Sequence, residues 1–309
     1  MAVVLAMSED INLDGKMDDW GPFGPNEGKW LIFSVGNPNE GHGYALPRTI
    51  DELSAKAIAY RLEIKSGSRY AAHIPWATDY HGEVAKDWMP CFIPEEEFLE
   101  KSIAYMKQHM EIYASMNLPA SRVALISSHG GNDPILQANE ARIKEELGAE
   151  KFILFTGAMA ESRQNEFLAA FEELAKQHTS TEDEADELAF KYVQIMTTSG
   201  HADHFEHTMA AAIGVLDYDK LQVMNDALTS DFDAALERWP TIGGLGGFLV
   251  HGGKYADLSG TPDNDTHGLW NCLRGLRELD HGRMVVAKEL GDLLIDKLVT
   301  LMAEMLAEE

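Results

Sequence analysis

Short apolar runs alternate along the chain with longer segments in which apolar residues recur every three or four positions. The short runs are typical of buried strands, because a strand covered on both faces of a sheet is apolar throughout. They predict five strands, at residues 31–35, 70–76, 122–127, 151–155 and 192–196. The longer segments predict helices that turn one apolar side toward the core. Their apolar positions are Leu53, Ala57, Tyr60 and Ile64; Leu99, Ile103, Met106 and Met110; Leu136, Ile143 and Leu147; Phe167, Phe171 and Leu174; and, in a last helix at about residues 284–306, Leu290, Leu294, Leu298, Leu301 and Met305.

The order of these elements predicts the fold class. Strands that alternate with helices favour an α/β fold of three layers, in which a mainly parallel sheet is flanked by helices. No linker divides the chain, so residues 1–309 are predicted to form a single domain. The Gly-, Pro- and Asp-rich residues 1–30 are predicted to be a loop or an arm over a neighbour, and the acidic residues 179–187 a surface insertion.

Charge and cysteine usage narrow the classes of function. The chain has 51 Asp and Glu residues against 25 Lys and Arg, a formal net charge of −26. Repulsion between like charges argues against nucleic acid and anionic membranes as partners, and most of these carboxylates are expected to form a solvated acidic surface. Cys91 and Cys272 form no CxxC pair, which favours a reducing compartment. No apolar run approaches the roughly 20 residues of a membrane span, and the apolar start is too short for a signal peptide, so we expect a cytoplasmic protein.

The loop between the first predicted strand and the first predicted helix carries candidate metal ligands. Glu40, His42 and Asp51 offer oxygen and nitrogen donors within this one loop. Divalent metal ions bind such donors, and the carboxylate of an aspartate can bridge two ions. Asp51 has a competing role as a helix cap, because the helical pattern begins directly after it.

Two further loops place similar side chains after predicted strands. His129, with Gly130 and Gly131, follows the third strand, and His201 and Glu206 follow the fifth. Ligands of open α/β sheets bind at the carboxyl ends of the strands, so these loops are expected to meet. One histidine after a strand is most often a loop or core residue, but three such loops together favour a metal-dependent hydrolase.

These three loops resemble the motifs of the creatininase (creatinine amidohydrolase) family. The first family motif is a Glu-x-His-Gly loop with an Asp nine residues after the His, and Glu40, His42 and Asp51 match it with the same spacing. The second, a strand followed by Asn-Gly-His-Gly-Gly-Asn, resembles residues 127–132. The third, Gly-His-Ala-Gly-x-x-Glu-Thr, resembles the segment that starts at residue 200, and a weaker Gly-x-Pro element matches residues 260–262.

The resemblance implies a cofactor of two divalent metal ions, zinc, manganese or iron(II), that share Asp51. The implied ligands are Glu40, Asp51 and His129 for the first ion, and His42, Asp51 and a further carboxylate for the second. Creatininase proper has that carboxylate two residues after the histidine of the second motif, where this chain has Gly131. Glu206 is the predicted substitute.

Roles for other residues also come from the resemblance. His201 would protonate the leaving group or steady the tetrahedral intermediate, and the backbone N–H groups near Gly130 and Gly131 would stabilise the charge that develops on oxygen. Asp79 and His81 lie in a loop unlike the usual middle segment of the family. They are predicted to contact the substrate, with a solvated loop as the alternative.

Extra imidazoles and an insertion distinguish this chain from the family. His204 and His207 lie beside His201 and are partners of the metal site, substrate contacts or surface residues. The insertion at residues 263–279 carries Trp270, which either covers the pocket of a neighbouring subunit or belongs to a core or an interface.

The function that these observations predict is a dinuclear metal-dependent amidohydrolase acting on a small molecule. Hydroxide bridging the two metals would cleave a non-peptide C–N bond in a cyclic amide or a formamide. The alternatives are hydrolytic ring opening of a cyclic ketone or diketone, such as an oxidised inositol, and a non-catalytic scaffold with the same fold. The resemblance also implies a homo-oligomer, often a hexamer.

Overall fold

A parallel four-stranded sheet lies at the centre of the first half of the chain. The structure is a computed structural model that describes residues 30–157, 159, 164–197, 201–239 and 282–308. The strands are β1 (Trp30–Val35), β2 (Arg69–Ile74), β3 (Arg122–Ser127) and β4 (Lys151–Phe155), in the order β2-β1-β3-β4. Along the central pair, Trp30 is opposite Arg122 and Val35 is opposite Ser127. Four of the five predicted strands are confirmed, as is the parallel sheet.

Helices connect and follow these strands. In chain order they are α1 (Ile50–Ser66), α2 (Glu95–Ser115), α3 (Asp133–Ala138), α4 (Glu140–Leu147), α5 (Gln164–His178), α6 (Glu182–Thr197), α7 (His204–Ala212), α8 (Tyr218–Ser230), α9 (Phe232–Arg238) and α10 (Lys288–Glu308). None of these described helices is both long and apolar enough to cross a lipid bilayer. The chain divides into two compact units, the first comprising Met1–Glu40, Asp51–Ser162 and Asp296–Glu309, the second Gly41–Ile50 and Arg163–Ile295.

Both faces of the sheet in the first unit are covered by helices. On one face, alternate residues of β1 and β3 join a buried apolar cluster with α2, α3 and α4, formed by Leu31, Phe33, Val35, Val123, Leu125, Leu99, Ile103, Met106, Leu136, Ile143 and Leu147. On the opposite face, the indole N–H of Trp30 donates to the carbonyl oxygen of Leu306 in α10 at 2.9 Å. Tyr60 of α1 packs edge-on against Tyr70 of β2, with ring centroids 4.7 Å apart. The predicted α/β fold of three layers is therefore confirmed.

The prediction of a fifth strand at residues 192–196 is wrong, because these residues belong to helix α6. Ala185, Ala189, Tyr192 and Ile195 are all buried, and their spacing is that of one side of a helix. A short apolar run does not by itself distinguish a strand from a buried helix. The small alanines on this side make the apolar repeat of the helix less distinct in the sequence. The acidic residues 179–187 are not a separate insertion either, since from Glu182 onward they form the first turns of α6.

Two other helix boundaries differ from the prediction. The single helix predicted after His129 is divided into α3 and α4, which meet at Asn139. The last helix begins at Lys288 rather than near residue 284. Backbone N–H groups ahead of it donate to side chains of the second unit instead: Met284 to Asn225 at 2.7 Å, Val285 to His204 at 2.9 Å and Ala287 to Thr208 at 3.2 Å. The predicted N-terminal arm, except for residue 30, the element at residues 260–262 and the insertion at 263–279 lie outside the described residues.

Candidate metal centre

The turn after β1 places Asp51 at the carboxyl end of the sheet. A Cβ atom on Gly36 would lie 2.4 Å from the carbonyl oxygen of Asp51, so only glycine permits this approach of β1 to the start of α1. Ser128, directly after β3, donates its hydroxyl to the same carbonyl oxygen at 2.5 Å. Asp51 lies in the first turn of α1, and its side chain is directed at His129. The cap alternative is therefore wrong, because Asp51 is the second residue of α1 rather than the residue that precedes the helix.

His129 is the centre of a buried cluster in the first unit. Its Nδ1 atom lies 3.1 Å from Oε2 of Glu40 and 3.1 Å from Oδ2 of Asp51. Its Nε2 atom lies 3.1 Å from the carbonyl oxygen of Thr78, which can only accept a hydrogen bond. The Nε2 atom therefore carries the proton of the neutral ring, and the lone pair of Nδ1 is directed at two carboxylates. Metal-binding histidines show this arrangement, in which the second ring nitrogen donates to a backbone carbonyl.

Electrostatics at His129 favour a positive charge between the two carboxylates. Burial by itself lowers the pKa of His129, but the charges and hydrogen bonds of Glu40 and Asp51 raise this pKa well above its usual value. Glu40, Asp51 and His129 are 2%, 4% and 6% exposed, so water screens the carboxylates little. A divalent cation can replace the imidazolium proton as the compensating charge, because carboxylate and neutral imidazole are its normal ligands. The donor set therefore fits the implied metal.

Asn37 orients Glu40. Its Nδ2 atom donates to Oε2 of Glu40 at 2.8 Å. Its Oδ1 atom accepts from the backbone N–H of Asn39 at 3.2 Å and from the thiol of Cys91 at 3.2 Å. These two donors determine which end of the amide faces Glu40. Asn37 is not among the residues predicted from the sequence, although a polar residue two positions after a buried strand and three before a candidate ligand was a usable signal.

Asp79 and His81 form a second part of this cluster. The Oδ1 atom of Asp79 accepts from the backbone N–H of His81 at 2.8 Å and lies 2.7 Å from its Nδ1 atom. Burial tends to raise the pKa of Asp79, but the hydrogen bonds from His81 hold it below its usual value. Donor atoms of Asp79, Glu40 and His129 all lie within 4.8 Å of one another.

Gly131 allows this close packing. A Cβ atom at this position would lie 2.4 Å from Nε2 of His129 and 3.1 Å from both Cα and Cγ of Asp79. Real Cβ atoms essentially never lie less than 3.0 Å from a heavy atom outside their own residue and its two chain neighbours. The neighbouring Gly130 differs, since a Cβ atom there would meet nothing within 4 Å.

The second unit brings together the other predicted residues. Nε2 of His42 lies 3.8 Å from Oε2 of Glu206. The ring of His201 lies against that of His42 with centroids 4.2 Å apart, and its Nε2 atom is 2.6 Å from the carbonyl oxygen of Gly41. His201 thus holds the backbone of the segment that carries His42.

Glu206 also has a structural role at the start of α7. Asp203 caps this helix by accepting from the backbone N–H of Glu206 at 3.1 Å, and the Glu206 carboxylate accepts in return from the backbone N–H of Ala202. This reciprocal pair resembles a capping box and fixes the direction of the Glu206 side chain.

His204 and His207 are buried, so the surface alternative for them is wrong. Nδ1 of His204 accepts from the backbone N–H of Val285 at 2.9 Å. Nδ1 of His207 donates to the carbonyl oxygen of Asp203 at 2.8 Å. Burial lowers the pKa of His207 to about 3, so the ring is neutral. Both histidines connect α7 to neighbouring backbone.

Solved structures of creatininase resemble this chain in fold. The crystal structure of creatinine amidohydrolase (creatininase) has a TM-score of 0.50 at 14% sequence identity, over 91% of this chain and 90% of that chain. The fold is creatininase-like. A mutant creatininase complexed with creatine has a TM-score of 0.48 at 13% identity, over 91% of this chain and 92% of that chain. A mutant creatininase described as the Zn-Zn type has a TM-score of 0.48 at 12% identity, over 91% of this chain and 91% of that chain. The chain matches no family model and no curated protein sequence.

The resemblance inferred from the motifs is thus confirmed at the level of the creatininase fold. Within the first unit, the predicted residues Glu40, Asp51, His129, Asp79, His81 and Gly131 lie together, and within the second unit His42, His201 and Glu206 lie together.

Proposed function

We propose that this chain is a metal-dependent hydrolase that cleaves a non-peptide C–N bond in a cyclic amide or a formamide. The observation that carries the proposal is the position of His129 Nδ1, 3.1 Å from a carboxylate oxygen of Glu40 and 3.1 Å from one of Asp51. Buried carboxylates are costly unless a positive charge or strong hydrogen bonds compensate them. Two of them directed at one imidazole nitrogen form a site in which a divalent cation is the natural occupant.

The first ion would be held by Glu40, Asp51 and His129. The motif resemblance, rather than a structural measurement, supports a second ion held by His42, Asp51 and Glu206. Within the second unit, the 3.8 Å between Nε2 of His42 and Oε2 of Glu206 is consistent with two donors to one cation. When bound, divalent ions supply Lewis acidity, which polarises a carbonyl group and acidifies water near neutral pH.

Side chains and backbone of this chain would supply the remaining chemistry. We assign to His201 the proton that passes to the departing nitrogen, the role that the motif resemblance implies for this histidine. Backbone N–H groups near Gly130 and Gly131 would donate to the oxygen on which charge develops. His81, whose ring is fixed by Asp79, would contact the substrate from the loop before the turn Gly82–Asp87.

Bound metal per chain tests this proposal. We expect elemental analysis of protein purified without chelator to find about two equivalents for the wild type, and one or none for Asp51→Asn. Glu52→Gln is the matched control, because Glu52 is the adjacent carboxylate in the same helical turn but pairs with Lys56. A wild type that takes up no zinc, manganese or iron(II), even when these are supplied in excess, would overturn the proposal. The alternative of a non-catalytic scaffold with the same fold would then remain.

Substrate panels then test the bond. Hydrolysis of a cyclic amide or a formamide by the metal-loaded wild type, and its loss in Asp51→Asn, would support C–N cleavage. Turnover confined to cyclic ketones or diketones would show that the C–N assignment is wrong.

A further inference from the structure

We propose that Asp79 is a protein ligand of the metal ion held by Glu40, Asp51 and His129. This inference rests on the proposed function, since it extends the ligand set of that ion. The role of Asp79 then differs from the substrate contact predicted from the sequence.

The geometry of the cluster supports this role first. A carboxylate oxygen of Asp79 lies within 4.8 Å of donor atoms of both Glu40 and His129, a separation that one ion at the centre can span. The side chain of Asp79 is buried, with 4% of the residue exposed. A substrate contact needs access to solvent or to a pocket, whereas a ligand of a buried ion does not.

The hydrogen bonds of Asp79 also suit a ligand. His81 directs two donors, its backbone N–H and its Nδ1 atom, at the same oxygen, Oδ1, at 2.8 and 2.7 Å. Both bonds are made at Oδ1 and fix the direction of the carboxylate, so Oδ2 would be the oxygen that binds the ion. Ligating carboxylates are commonly held in this way by a partner outside the coordination sphere.

Gly131 provides the second, independent observation. Its missing side chain is what allows Asp79 and His129 to lie side by side, because a Cβ atom there would be 3.1 Å from Cγ of Asp79 and 2.4 Å from Nε2 of His129. Gly130 in the same turn has no such neighbour. The chain therefore leaves out a side chain where Asp79 packs beside the Nε2 edge of His129, the histidine whose Nδ1 atom faces Glu40 and Asp51.

The resulting donor set has a chemical consequence. Three carboxylates and one imidazole form an oxygen-rich site, which favours manganese more than a site with fewer carboxylates does. We therefore use Mn²⁺ as the probe.

The test is a titration of the full-length protein with Mn²⁺, in which the electron paramagnetic resonance signal reports free Mn²⁺. We expect Asp79→Asn to weaken one Mn²⁺ site about 10- to 100-fold, while the amide oxygen still accepts from His81. Asp133→Asn is the matched control, because the charge of Asp133 also interacts with His129 and Asp51 but Asp133 is not among the three clustered residues. It reports the loss of a nearby charge without the loss of a ligand, so we expect it to weaken Mn²⁺ binding less than Asp79→Asn does.

The outcomes separate this inference from the proposed function. A wild type that binds neither Mn²⁺ nor Zn²⁺ overturns both. A wild type that binds Mn²⁺ as tightly as Asp79→Asn does overturns the role of Asp79 alone. If Asp79→Asn does not fold, anomalous diffraction from crystals of the wild type soaked in Mn²⁺ decides: an ion between Asp79 and Glu40 supports the inference, and an ion that does not contact Asp79 overturns it.

Discussion

Replacing Gly131 with alanine is expected to damage the metal site through a single added methyl group. The new Cβ atom would lie 2.4 Å from Nε2 of His129, whereas ordinary van der Waals contact begins at 3.4 Å, so the ring or the turn must move by about 1 Å. His129 has little freedom to move, because Thr78 holds Nε2 at 3.1 Å and two carboxylates lie 3.1 Å from Nδ1.

The size of the effect follows from this crowding. Overpacking a buried site costs about 1–3 kcal/mol of folding free energy. Loss of ligand orientation weakens metal binding about 10- to 100-fold, which corresponds to about 1.4–2.7 kcal/mol. Both effects are expected together, since the same contact supports the turn and the ligand.

Gly130→Ala makes this prediction specific. It adds the same methyl group to the same 3₁₀ turn, but its Cβ atom would meet nothing within 4 Å. We would measure metal affinity by competition with a chromophoric chelator, and stability by urea unfolding of the metal-free protein. Equal affinities and equal midpoints for the two alanine variants would refute the steric argument and, with it, the packing of Asp79 against His129.

Three further predictions address other parts of the chain. Asn37→Leu removes the 2.8 Å hydrogen bond to the Glu40 carboxylate and should weaken metal binding about 10-fold in chelator competition; unchanged affinity would contradict this role. Burial lowers the pKa of His73 to about 3, against about 6.5 in the unfolded chain. The free energy of unfolding that neutral His73 contributes is therefore fully present above about pH 6.5, and it falls by about 1.4 kcal/mol per pH unit as the pH drops toward 3. Urea unfolding of His73→Gln should show a slope smaller by that amount, and parallel pH profiles would refute the assignment. Asp203→Ala removes the cap of α7 and should lower the free energy of unfolding by about 1 kcal/mol; it should also weaken metal binding, because Asp203 holds the backbone of Glu206. Asp217→Ala, which removes the cap of α8, should lower the stability alone. Loss of metal affinity in both variants would contradict this distinction.

Local patterns predicted most of the first unit. The central strands β1 and β3 are short apolar runs that are buried in the sheet, and burial on both faces leaves a signal that needs no knowledge of distant contacts. The edge strand β4 is an apolar run too, although only Phe155 in it is buried. The loop from Glu40 to Asp51 was predictable for a related reason. Its donors are close in the chain, and a carboxylate, an imidazole and a second carboxylate in one loop form a set of ligands that divalent metal ions bind.

The error at residues 192–196 has the opposite cause. Tyr192 and Ile195 are buried because α6 packs against α5. The ring centroids of Phe171 in α5 and Tyr192 in α6 are 6.4 Å apart. A five-residue window contains only the apolar run and not the neighbouring helix that explains it. Such a segment becomes a helix or a strand according to what packs against it.

By itself, the sequence determined the order of strands and helices in the first unit, the candidate ligands and the resemblance to creatininase, because periodicity, spacing and residue chemistry are local properties. Only the tertiary structure decided the places of Asn37 and Asp79. Asn37 contacts Glu40 and Cys91 at once, and Asp79 reaches His129 through the space left by Gly131. The contacts of Asn37 with Cys91 and of Asp79 with His129 join loops that lie far apart in the chain, and the physical reason is the parallel sheet, which gathers the carboxyl ends of its strands at one edge.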